Sequence, residues 1–262
     1  MSTFDTPPQT REEALTEILL RLADDRLILG HRLSEWAGHA PELEEDLALA
    51  NIALDMIGHA SSLYGYAAEL TGKKQDDWHA YFRDDIDFKN ASITELPNGD
   101  FAFTIARLFL FSSWSWLLYR ELTKTVIDVQ LKGMLNKHLK EIRYHLRHSR
   151  EWVLRLGDGT EESHTRIQHA LEDLWMYTGE LFLSDAAEEA CIHHQLYLDV
   201  STLKMEWSGI VENTLEEATL HCPDNQQYMF TGSRQGRHTE HLGHLLAAMQ
   251  FLRRSHPEAD WS

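Results

Sequence analysis

Three short stretches place a carboxylate four residues before a histidine. They are LDMIGH at 54–59 (Asp55 and His59), KEIRYH at 140–145 (Glu141 and His145) and TEHLGH at 239–244 (Glu240 and His244). Residues four apart lie on one face of a helix. Carboxylates and imidazoles on facing helices are how helical bundles hold a pair of metal ions, although the usual spacing there is Glu-x-x-His. A complete centre takes about four carboxylates and two imidazoles, all directed inward. The three stretches therefore raise one chemical question: metal-dependent oxygenase or oxidase chemistry, or a scaffold for it without the metal.

The elements that must carry these residues are helical. Prolines are confined to the first residues and to connections (Pro7, Pro8, Pro41, Pro97, Pro223, Pro257), and nearly everything else has helical periodicity. Leu15, Ile18, Leu22, Leu29, Leu33 and Trp36 recur at helical steps, which predicts a first helix over 13–36, preceded by a flexible tail over 1–12. A link through Gly38 and Pro41 leads to a second helix that Gly72 ends, and so short a link makes the pair antiparallel. After an irregular polar stretch, Asp100 is placed to cap a helix over 101–123, which pairs with another over 126–156. Gly157 is suited to end that helix and Thr160 to cap the next. Shorter helices are expected over 162–183, 185–198, 202–220 and 237–254. Two long antiparallel hairpins with accessory helices is the plan of an all-α, ferritin-like four-helix bundle. No linker divides residues 1–262 into separate domains.

With a turn near residue 39, Asp55 is expected to face Asp24 and Asp25 on the first helix. The position three beyond Asp55 is Gly58, which cannot bind metal. With a turn near residue 125, Glu141 faces 107–111, where Arg107 stands and no carboxylate does. Arg107 paired with Glu141 or Asp25 would fill the metal cavity with an ion pair, and Tyr144, three beyond Glu141, projects away from the apolar stripe. The candidates for a vestigial site are Asp24, Asp55, Glu141 and His145, and an enzyme in its own right would use these and Glu35. His238, His241 and His244 with Glu240 form a second cluster, placed for chelation of a divalent ion at the surface. On the second helix, Leu43, Leu47, Ala50, Leu54, Ser61, Gly65 and Ala68 share one face, and Leu49, Ile52, Met56, Leu63 and Leu70 the other. Burial on both faces calls for a cover beyond the bundle, so substitution at Leu49, Ile52 or Met56 is expected to weaken an assembly more than the fold.

Composition excludes several classes. At 43% hydrophobic residues the chain is globular. The 24 Lys and Arg scattered among 42 Asp and Glu, net −18, argue against nucleic acid and anionic membranes. The most apolar stretch, 101–119, carries Arg107 and three serines and reads as a core helix instead of a membrane span. The opening MSTFDTPPQTREEA has no basic segment followed by an apolar run, so no leader is expected. Cys191 and Cys222 are too few for a disulfide framework and are compatible with the cytoplasm.

The strings RLADDRLILGHRLSEWAGHAPELEEDLALANIALDMIGHA, LPNGDFAFTIARLFLF, RYHLRHSREWVLRLGDGTEESHTRIQHALEDLWMYTGELF and GRHTEHLGHLLAAMQ resemble the C-subunit family of the bacterial phenylacetyl-CoA epoxidases, over about 22–250. The resemblance implies a ferritin-like subunit with no working metal site and no catalytic residue. Such a subunit pairs with and supports an A subunit, which holds the di-iron centre and binds the acyl-CoA. The family's reductase component supplies electrons from NADPH. The complex epoxidises the aromatic ring with dioxygen, early in aerobic phenylacetate breakdown. No cofactor is then expected in this chain.

Overall fold

The computed structural model describes residues 6–73, 77–224 and 228–259, and among these there is no strand. Four long helices dominate: α1 (Arg11–Ser34), α2 (Leu43–Thr71), α5 (Phe101–Thr125) and α6 (Val129–Gly157). Between the two pairs lie the short helices α3 (Trp78–Tyr81) and α4 (Ser92–Glu95). After them come α7 (Glu161–Trp175), α8 (Ala186–His193), α9 (Lys204–Glu217) and α10 (Glu240–Ser255).

Local chemistry sets most boundaries. The Asp100 side chain accepts from the Phe103 amide at 2.9 Å, Asp128 accepts from Leu131 at 3.0 Å, and Thr160 closes a capping box with Ser163. Gly72 ends α2 in the left-handed region, at φ 65°. The first helix starts two residues earlier than expected, because Thr10 and Glu13 cap each other across its first turn. Arg11 and Glu12 are therefore helical instead of tail, while residues 1–5 lie outside the described residues. Gly157 does end α6, but for a different reason than left-handed backbone. A Cβ there would lie 2.4 Å from the Ala218 carbonyl oxygen. The stretch expected as one helix over 162–183 stops at Trp175 and resumes as a 3₁₀ turn over Gly179–Phe182, whose Leu181 carbonyl accepts from the Trp114 indole at 2.9 Å.

Side-chain pairs fix the helix directions. Asp24 meets Tyr64, so α1 and α2 are antiparallel. Trp36 meets Thr104 and Arg26 meets Tyr119, so α1 and α5 are antiparallel as well. Asp55 meets His145 and Glu141 meets His59, which sets α6 antiparallel to α2. It follows that α2 and α5 point the same way, and the described residues 77–100 carry the chain back along their length. α5 is the central helix. It is long and apolar enough to cross a membrane, yet 83% of its most apolar window is buried inside the protein, as the serines and Arg107 predict for a core helix.

The register of the first hairpin differs from the expected one. Gly30 lies against Ala53, Met56 and Ile57, where a Cβ would come within 3.0–3.3 Å of them. Asp55 is thus level with Gly30, not with Asp24. The cause is the connection 35–42: it runs back beside α2, with the Gly38 amide on Asp46 at 2.6 Å, so the first two turns of α2 extend past the end of α1. Burial on α2 follows the side of the helix turned to α1, where Ala53 and Met56 meet Gly30. Leu49, Ile52 and Met56 are fully buried in the core, whereas Leu43, Leu47 and Leu54 are 70%, 56% and 68% exposed. The two faces expected to be covered are one core face and one open face.

Candidate functional site

The sequence-predicted ligands divide into two places. Asp24 is level with Tyr64, nine residues from Asp55 along α2, or ~13 Å at the helical rise. Its carboxylate is fully buried and fully used. It accepts from the Tyr64 hydroxyl at 2.5 Å, from the Lys89 amide at 2.8 Å and from both terminal nitrogens of Arg83. Arg83 in turn donates to the carbonyls of His79 and Asp87 and lies over the Phe88 ring. Asp25, the next residue on α1, binds the neighbouring part of the same connection: Arg234 at 2.9 and 3.0 Å and the Ala91 amide at 2.7 Å. Both aspartates tie α1 to the surrounding connections by ion pairs, and neither is offered to a metal.

Asp55, Glu141 and His145 do come together, with two histidines not assigned to the site in advance. His59 donates Nε2–H to Glu141 at 2.5 Å and His145 donates Nε2–H to Asp55 at 3.0 Å. His138 stacks on His59 with ring centroids 3.9 Å apart and donates to the Ser62 hydroxyl at 3.2 Å; that hydroxyl donates to the His59 carbonyl. The network places the hydrogen on Nε2 of each ring. All three imidazoles are buried, and all three Nδ1 atoms are unpartnered. The carboxylates, by contrast, are about one-third exposed at the α2–α6 surface.

A cation occupies the interior end of this seam. Arg26 is 1% exposed, its guanidinium packed between the Phe111 and Tyr119 rings at 5.3 and 4.8 Å from their centroids, with the Tyr119 hydroxyl 3.4 Å from Nε. Cation–π contacts of this kind, desolvated, offset part of the burial cost, each contributing about 2 kcal/mol or more. The electrostatics follow. Burial first, then coupling to the stacked His138 and the charge of Arg26, hold His59 far below the ordinary imidazole range. Burial and Arg26 push His138 down to about 3. Burial lowers His145 against the opposing Asp55 hydrogen bond. Burial and the Asp55 charge raise Glu141. The imidazoles are neutral donors; Arg26 is the buried positive charge beside them, and Lys137 acts on His59, His138 and Glu141 from the exposed side.

These residues do not fit a di-iron centre. Asp24 is too far away and already paired; Gly58 leaves the third-residue position without a ligand; and a guanidinium stands where a metal would need anions. Among the described residues, no group of three or more His, Cys, Asp or Glu is arranged to hold a metal ion. Arg107 is not the cation that was expected here. Fully buried, it donates to the Leu96 carbonyl and to Asn98, and burial together with nearby Arg32 pushes it down to about 9. Glu35 lies at the end of α1, paired with Arg32 at 2.9 Å and Asn98 at 3.1 Å.

The sequence carried one signal for Arg26. The apolar steps Leu15, Ile18, Leu22, Leu29 and Leu33 leave a gap one turn after Leu22, and Arg26 fills it on the core face. Arg83 had no such signal, because its partner is set by the path of the connection.

The cluster around Glu240 is also divided. His238 is turned inward, with Nδ1 on the buried Glu95 carboxylate at 2.8 Å and Nε2 on the Phe88 carbonyl at 2.9 Å. Two acceptors on two ring nitrogens are satisfied only by imidazolium. Burial opposes the charge, but the Glu95 hydrogen bond and charge outweigh it and raise His238. A group raised in the folded state stabilises fully below its unfolded value near 6.5, and that contribution is lost as pH rises through the folded value. The urea midpoint is therefore expected to fall from pH 6.5 to 9, and His238→Gln is expected to flatten that limb. An alkaline limb unchanged in H238Q would refute the assignment.

The full chain matches the family described as phenylacetic acid catabolic protein over residues 1–261. It is 46% identical over 247 residues to the C subunit of the 1,2-phenylacetyl-CoA epoxidase of Escherichia coli (strain K12), covering 94% of this chain and 99% of that one.

Proposed function

This chain belongs to the phenylacetic acid catabolic protein family, and from that premise we propose that it is the non-catalytic, supporting subunit of a multicomponent phenylacetyl-CoA epoxidase. Its partner in this reading is a separate A subunit that carries the di-iron centre and epoxidises the ring of phenylacetyl-CoA with dioxygen and NADPH-derived electrons delivered by a reductase. The reaction takes place in the cytoplasm. The two long hairpins and the return segment 77–100 support a ferritin-like four-helix bundle as the fold that the two subunits share.

One observation carries the reading: the seam that ferritin-like oxygenases would use for metal is closed by protein charges, with Arg26 inside it and Asp24 bound to Arg83. What remains is a rigid polar interior that orders α1, α2, α5 and α6 without chemistry of its own. The alternative, an oxygenase using Asp24, Asp55, Glu141, His145 and Glu35, would need three separated carboxylate sites to converge. Elemental analysis separates the two. The chain alone is expected to hold far less than one iron per chain, and the pair co-expressed with the A subunit close to two per heterodimer. Two irons per chain in the isolated protein, with oxygen-dependent turnover, would overturn the proposal.

A further inference from the structure

The open face of α2 has a regular spacing. Leu47, Asn51, Leu54, Gly58, Ser61 and Gly65 follow one another at steps of four and three, and all but the half-buried Gly65 are exposed. Alternating steps of four and three make a 3.5-residue repeat, the seam that one α-helix presents to another. It runs for ~27 Å. The two ends differ in kind. Leu43, Leu47 and Leu54 form a row of apolar knobs, and a Cβ added at Gly58 or Gly65 would meet nothing within 4 Å. Knobs at one end and open small positions at the other suit a partner helix that crosses obliquely, its backbone closest at Gly58–Gly65.

Beside the middle of this seam stand Asp55 and Glu141. They are about one-third exposed; among the described residues neither is ion-paired to Lys or Arg, their hydrogen-bond partners are the neutral imidazoles behind them, and Lys137, one turn before Glu141 on α6, acts on it without an ion pair. Two adjacent carboxylates with no cation in contact define what the covering helix must bring. They also exclude a second copy of this chain. The seam is centred near residue 56, so two copies crossing on it in either direction would bring their Asp55 and Glu141 groups together, in molecules that each carry a net −18.

We infer that the α2 face from Leu43 to Gly65 is the docking site for one α-helix of a different subunit, which lays apolar side chains between Leu47 and Leu54 and sets a Lys or Arg against Asp55 and Glu141. This rests on the reading of the chain as a subunit of the epoxidase, and it names the surface and the chemistry of the contact. Covering the seam would also complete the burial of the two carboxylates that hold His59 and His145, so docking and the internal histidine network are joined through the same groups.

The test uses the full chain and the tagged A subunit of the same epoxidase, with affinity measured by surface plasmon resonance. Leu47→Asp combined with Leu54→Asp is expected to weaken binding by at least about tenfold while leaving the thermal midpoint unchanged, since both side chains are already exposed. Met205→Asp with Phe251→Asp, equally exposed elsewhere, is expected to change nothing. Asp55→Asn with Glu141→Gln is expected to reduce the dependence of affinity on salt. A benzophenone side chain at Ser61 is expected to crosslink to a helix of the A subunit close to a Lys or Arg. If the unmodified chain binds and the Leu47/Leu54 variant binds equally well, the face is wrong and the subunit reading stands. If the unmodified chain does not bind the A subunit at all, the subunit reading falls and takes this inference with it. Crosslinks from Ser61 to a second copy of this chain would overturn the assignment to a different subunit.

Discussion

Asp24→Ala is expected to remove about 3–5 kcal/mol of stability, enough to unfold a large fraction of a marginally stable protein at 37 °C. The carboxylate is fully buried and accepts from Arg83, Tyr64 and the Lys89 amide. Its removal leaves the Arg83 guanidinium, itself 5% exposed, without an anion in the interior. The loss of attraction is the smaller part; an uncompensated buried charge is the larger one. The double variant Asp24→Ala, Arg83→Met separates these. It removes both charges and keeps apolar volume over Phe88, so it is expected to recover more than half of the loss. Urea unfolding followed by circular dichroism measures both. A single variant costing less than 1 kcal/mol would show that water reaches this pair and that the aspartate is held only loosely. The result bears on function as well, because a carboxylate committed to the fold at this level is not free to ligate iron.

Mild acid is expected to unfold the protein through the three seam histidines. His59, His138 and His145 are neutral and lowered in the folded state, while in the unfolded chain they take protons below about 6.5. A group lowered by folding gives stability that is present above the unfolded value and lost as pH falls toward the folded one. Each contributes a loss of about 1.4 kcal/mol per pH unit in that window. Between pH 6.5 and 4.5 His59 and His138 together remove up to ~6 kcal/mol, comparable with the whole stability of a typical domain, and His145 adds to the loss in the same direction. Glu141, raised by burial and by Asp55, works in the opposite direction and offsets part of this. The stability derived from urea unfolding between pH 7 and 4.5 is expected to fall with a slope of at least about one and a half protons, and in His138→Gln with a slope smaller by about one. A midpoint flat to pH 5 would mean that the imidazoles are already charged, so that His59–Glu141 and His145–Asp55 are ion pairs instead of neutral hydrogen bonds.

These two networks differ in how far they were legible beforehand. The seam was half visible. Asp55, Glu141 and His145 stood out because carboxylate and imidazole four apart share a helix face, and that periodicity is local. The third-residue glycine after Asp55 was equally readable, and with it the lack of a normal ligand set. The opposition of Asp55 to Asp24 was not sound, because it took the link between the first two helices as a symmetric turn. The actual link runs back along α2, a choice made by the Gly38 and Asp46 contact and by the close approach at Gly30. The two apolar faces of α2 were legible, but not which of them meets the bundle: Leu49, Ile52 and Met56, expected to take part in an assembly, are core, and Leu43, Leu47 and Leu54 are exposed.

The cations show the limit most clearly. A turn near residue 125 sets Arg107 opposite Glu141 in the sequence, but the carbonyl of Leu96 and the side chain of Asn98 take its guanidinium. Arg26 has that place, and His238 belongs to Glu95 and not to a surface cluster.

By itself the sequence determined the helices, their caps at Asp100 and Thr160, the pairing of neighbours joined by short links, the core character of Phe101–Thr125, and the lack of a histidine three residues beyond Asp55 or Glu141. All of these depend on residues within a few turns of one another, where periodicity and capping act. Only the tertiary structure decided which cation enters the seam, which aspartate is consumed by an ion pair, and which face of α2 is left open. Those outcomes depend on the stagger of one helix against another, and a stagger of a few residues turns on backbone contacts at one glycine and one loop that no periodic pattern encodes.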